Sequence, residues 1–142
     1  MEAKNLEQTI SFQVKTDSPG YEKNLIPWIS IAYFDEDLPN LIDADEIVLI
    51  EKSVTILIDY PLNTAQTFTL KSNEGFTRAL LIKEISAKYL EIFEIEDQTF
   101  NIALNSGKYG IWGHEFGELD LSSIEVYRID PGKVELLLNI ES

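Results

Sequence analysis

The chain has 142 residues, 44% of them hydrophobic and 11% aromatic, and its 25 Asp plus Glu against 11 Lys plus Arg give a formal charge of −14. That apolar content suffices for a packed core and argues against bulk disorder. The charge makes nucleic acid and anionic membranes poor partners and points to a basic protein or a cation, while the lack of cysteine excludes disulfides, thiolate metal sites and cysteine nucleophiles.

The length fits one domain, residues 1–142. The opening MEAKNLEQTISF has neither the basic start nor the apolar run of a signal peptide. The longest apolar runs, such as IVLI and LLL, are too short to span a bilayer. A soluble, cytoplasmic protein is expected.

In chain order, TISFQVK alternates with Ile10, Phe12 and Val14 on one side, the period of a half-buried strand. DSPG then supplies a turn. Pro27–Phe34, PWISIAYF, is apolar on both faces and predicts a central strand. The acidic DEDLPNLIDADE reads as a loop or one short helix, with Asp37 as its cap and Leu38, Leu41 and Ile42 turned inward. EIVLI reads as a short strand. SVTILIDY places Val54, Ile56, Ile58 and Tyr60 on one side, and QTFTLKS places Phe68 and Leu70 together, so the two form a hairpin across PLNTA.

The longest element is a helix from Thr77 to about Ile95. Thr77 is its N-cap, and Phe76 and Leu81 suit a hydrophobic staple. Leu81, Ile82, Ile85, Tyr89, Ile92 and Phe93 fall on one face, with Lys83, Glu84, Ala87, Lys88, Glu91 and Glu94 opposite. Glu84 and Lys88 have the favourable i, i+4 order. At the C-terminus, SSIEVYRI and VELLLNIE flank DPGK, which has the Pro and Gly of a type II turn. Val134, Leu136, Leu138 and Ile140 form an inward row. The fold class is α+β: a mainly antiparallel sheet with one long amphipathic helix packed on one face.

Between helix and hairpin lies SGKYGIWGHEFGELDL, Ser106–Leu121, holding four of the seven glycines, one of two tryptophans and the single histidine. HEFGE approaches the zinc motif H-E-x-x-H, but glutamate stands in place of the second histidine and the glycines oppose a helix. The acidic stretch from Asp35 to Glu46 lacks the order and turn glycine of a calcium loop. The glycine spacing fits neither phosphate-binding pattern. No metal and no cofactor is assigned.

His114 is the one candidate general base, with Glu115, Glu118 or Asp120 to orient it; no G-x-S-x-G elbow accompanies it. The alternative is structural. Glycines permit positive φ, Ile111, Trp112, Phe116 and Leu119 anchor the loop, and the histidine nitrogens bond the loop backbone. Trp112 is then expected in the core. A small-ligand site lined by Tyr109, Trp112 and His114 is a third expectation.

The run from GFTRALLIKEISAKY through YGIWGHEFGELDL to the closing strands resembles an uncharacterised bacterial family with a G-I-W-G-H segment after a helix starting F-T-R. The resemblance implies no activity or ligand. The leading expectation is a non-enzymatic interaction domain for a basic protein, one version being an immunity-type antagonist of a basic toxin. The opposing expectation is a small hydrolase centred on His114 with Glu115 and Glu118. Neither reading fixes an oligomeric state.

Overall fold

The structure, a computed structural model, describes residues 5–142; the first four positions of the domain read from the sequence lie outside that range. In chain order the elements are β1 (Asn5–Ser11), β2 (Val14–Lys15), β3 (Leu25–Ile26), β4 (Ile29–Ser30), α1 (Phe34–Asp37), β5 (Ile47–Leu49), β6 (Ser53–Ile58) and β7 (Gln66–Lys71). They continue with β8 (Phe76–Thr77), α2 (Arg78–Thr99), β9 (Asp120–Asp130) and β10 (Lys133–Glu141). The fold is α+β. A six-stranded sheet runs β1-β9-β10-β6-β7, with β4 beside β9, and only β10 and β6 are parallel.

Alternation builds the sheet. Val54, Ile56 and Ile58 of β6 are buried, as are Val134, Leu136 and Leu138 of β10 and Ile124 and Val126 of β9. Ile140 follows a register shift after Asn139 and is only partly buried. The opposite side of the β9–β10 pair carries polar side chains beside Leu137. The Asn139 amide donates to Ser123 Oγ at 2.8 Å and to Glu125 Oε2 at 3.0 Å, and the Tyr127 hydroxyl donates to Glu125. The two strands meet at Asp130–Lys133 with Gly132 at φ 77°, where a type II turn needs glycine.

Helix α2 covers the apolar side. Thr77 caps it by accepting the Leu80 amide at 3.1 Å, and both residues of the expected staple, Phe76 and Leu81, are fully buried. Leu81, Ile82, Ile85, Tyr89 and Ile92 are buried, with Phe93 packed against their cluster. The helix runs one turn beyond Ile95, to Thr99. Lys88 lies 4.0 Å from Glu91 and sits over the Phe68 ring, in place of the expected Glu84 pairing.

Three expectations are corrected. Pro27–Phe34 is not a central strand: only Ile29–Ser30 pairs in register with β9. Ile29 and Ile31 are buried, but the chain turns away at Tyr33, whose amide donates to Ser30 Oγ. The centre of the sheet is taken by β9 and β10. Asp37 does stand at the N-cap position of a 3₁₀ helix, Leu38–Asn40, but its side chain makes no cap bond there. It ends α1, and its Oδ2 accepts the Ser30 amide at 3.0 Å, closing that turn. TISFQVK also breaks at Phe12–Gln13 into β1 and β2, although Ile10, Phe12 and Val14 all reach the core. Among the described residues no helix is long and apolar enough to cross a membrane.

Candidate functional site

The glycine-rich loop is mounted on a buried carboxylate that sequence reading missed. Glu96, near the end of α2, is 6% exposed. Its Oε1 accepts the amides of Tyr109 (2.9 Å) and Gly110 (3.2 Å), and its Oε2 those of Gly107 (3.0 Å) and Ile111 (2.9 Å). Burial alone would raise its pKa. The four aligned N–H donors outweigh burial and hold it below the ordinary carboxylate value. The signal was present: Glu96 stands four residues after Ile92 and seven after Tyr89, on the apolar stripe of the helix. A carboxylate there must find donors.

Glycine is required at two points of this mount. At Gly107 a Cβ would stand 2.5 Å from the Glu96 carbonyl oxygen and 2.6 Å from its Oε1. Gly110 has φ 68°, and a Cβ there would stand 2.8 Å from the Asn63 amide nitrogen. The loop is then sewn to the turn after β6. Trp112 N donates to Pro61 O at 3.1 Å, Asn63 N reaches Gly110 O at 3.0 Å, and Leu62 bridges Ile111.

The expected site residues divide. Tyr109 is buried, and Lys108 Nζ lies 5.4 Å from its ring centre. Trp112 is not in the core: it is 47% exposed, packed edge-on against Tyr60 with ring centres 5.4 Å apart. The expectation failed because Tyr109 and Leu119 are the loop side chains that reach the interior. Tyr109 is thus buried while Trp112 stays half-exposed.

His114 does bond within the structure, but not to backbone. Its Nε2 lies 2.9 Å from the Tyr60 hydroxyl and its Nδ1 3.2 Å from Glu118 Oε1. Glu118 is itself fixed by the Glu115 amide at 2.6 Å, within a capping box around the turn Phe116–Glu118. Glu118 is therefore the partner of the three acids considered. Glu115 is exposed and closes the turn. Asp120 lies with Asp37 and Glu141, and burial followed by those two charges raises its pKa to about 6. The Tyr60 hydroxyl also meets Ser142 Oγ at 2.7 Å. The Tyr60, Trp112 and His114 ring centres are 5.2–5.4 Å apart, so the three rings pack against one another as one aromatic cluster.

A second feature lies at the other end of α2. A groove of about 720 Å³ is lined by Leu38, Pro39, Leu41, Ala44 and Ala79, with Asp35, Asp43, Asp45 and Glu46 among its lining residues. Its only cation in direct contact is Arg78, 2.7 Å from Glu46, among the described residues. The described residues contain no cluster of three or more His, Asp or Glu arranged to hold a metal ion. No protein-family model, no curated protein and no solved structure matches the chain, so the G-I-W-G-H resemblance brings no activity to either feature.

Proposed function

We propose that the protein is a non-enzymatic binding domain whose partner is a basic protein. The observation that carries this reading is the unbalanced charge. The formal charge is −14, and among the described residues Glu7, Glu46, Glu51, Glu91 and Glu118 are seen in ion pairs, with Glu135 engaged as well. Such a surface steers and orients a basic partner. An antagonist of a basic toxin is one version of this role. The rigid mounting of the loop on Glu96 supports the reading, because a binder with preordered loops loses less entropy on association.

Isothermal titration against a panel of basic proteins, with acidic proteins of similar size as controls, tests it. At least one basic member should bind and no acidic member should. Equal binding to both sets, or to neither, refutes the reading.

A hydrolase is the second reading, favoured by one observation: the Tyr60–His114–Glu118 chain has a base held by a carboxylate, as in the base–orienter half of a catalytic triad. His114→Gln separates the two. Loss of a measurable turnover with an unchanged melt would establish the hydrolase.

A further inference from the structure

We infer that the groove between the 35–46 segment and the start of α2 is the docking site for a lysine- or arginine-bearing segment of the partner, with an apolar residue beside its basic ones. The inference rests on the reading of the domain as a binder of basic proteins and assigns that reading a place. Both halves of the groove select this occupant. Leu38, Pro39, Leu41, Ala44 and Ala79 offer an apolar lining for a leucine-like side chain and for the aliphatic stem of a lysine, whose head then reaches the rim. The rim carries Asp35, Asp43, Asp45 and Glu46. Of these four acids, only Glu46 is in an ion pair with another described residue, Arg78. The volume, about 720 Å³, matches pockets that enclose a few side chains.

The groove is preformed. Ala79 N donates to Ala44 O at 2.9 Å, Ile42 N to Gln13 O at 2.9 Å, and Glu46 N to Asp43 O at 3.2 Å. Arg78 ties the wall further, through Nε to Ser11 O at 2.8 Å and Nη1 to Glu46. The acids are not there to cap α2. Two of its early amides, those of Ala79 and Leu80, are taken by Ala44 O and Thr77 Oγ1, and Asp35, Asp43 and Asp45 are exposed, open to an incoming cation. Asp43 stands at φ 51°, an uncommon conformation for a residue other than glycine.

Amide chemical-shift mapping by NMR tests the assignment with two synthetic probes. One is a lysine-rich peptide carrying a single leucine; the other has serine in place of that leucine. The leucine peptide should shift the amides of Leu38–Glu46 and Ala79 and bind more tightly than the serine peptide. Asp35→Asn with Asp45→Asn should raise its Kd about three- to tenfold, because two rim attractions are lost. Glu94→Gln with Asp97→Asn removes the same charge at the far end of α2 and should change Kd by less than about twofold. Salt-sensitive binding with shifts outside the groove, or equal loss in both double variants, overturns the docking site and leaves the wider reading standing. No binding of either peptide overturns the docking site, while the protein panel judges the wider reading independently.

Discussion

Replacing Glu96 should release the glycine-rich loop. Four backbone amides converge on its carboxylate, those of Tyr109 and Gly110 fully buried and those of Gly107 and Ile111 partly so. At about 1 kcal/mol for each amide that loses a charged acceptor, the low end for such bonds, Glu96→Ala should destabilise by about 4 kcal/mol. Glu96→Gln keeps one oxygen and turns an NH₂ group toward the other two amides. It should therefore still lose about 2 kcal/mol, although it is nearly isosteric. At about 3 °C per kcal/mol for a chain of this size, the melts should fall by roughly 6 °C for Gln and roughly 12 °C for Ala. Hydrogen exchange should show the cause directly, with protection lost first at Tyr109 and Gly110. The carboxylate also has a pH signature. Its folded pKa lies below the ordinary 4.5, so its contribution is complete above that value and fades as pH falls through the lowered pKa. Glu96→Gln should remove that part of the acid limb. A Gln variant with an unchanged melt and full protection at Tyr109 would refute the reasoning.

His114→Gln should be mild, about 1 kcal/mol or less, because Gln can still bond one of Tyr60 and Glu118. Trp112→Ala should lose about 1–2 kcal/mol for an edge-on pair at the surface, well short of a core aromatic; thermal melts of the two variants check both values. Ile85→Ala, at a fully buried position of α2, should lose about 2–5 kcal/mol, and an unshifted denaturant midpoint would contradict the packed face. Asp120 has a folded pKa of about 6 against an ordinary 3.8. The folded state thus holds its proton more firmly, and its contribution to stability declines as pH rises between those values. Asp120→Asn should flatten that decline in denaturant melts at acid and neutral pH; an identical pH slope would disprove it.

The helix and both hairpins were legible because their signals are local. The 3.6-residue period marked Leu81 to Ile92, alternation marked Ser53–Ile58 and Lys133–Glu141, and DPGK marked the turn between the last two strands. Strand order was not legible, since the parallel pairing of β10 with β6 joins segments some eighty residues apart, and no local pattern encodes it. PWISIAYF misled because burial of Ile29 and Ile31 looks the same in a short edge pairing as in a central strand. The site was half legible. Composition singled out His114 and the glycines, but Tyr60, its partner, lies 54 positions upstream. Trp112 was misplaced because indole area is as useful to a surface cluster as to a core. The groove escaped notice because the stretch from Asp35 to Glu46 read only as a loop or one short helix, and no local pattern ties Ala44 to Ala79.

The salt dependence of one complex with a basic protein tests the proposed function most directly. Between about 50 mM and about 300 mM salt, Kd should rise about tenfold or more, mainly through a slower association rate, because screening removes the attraction of the uncompensated carboxylates. A Kd that stays flat across that range would contradict it.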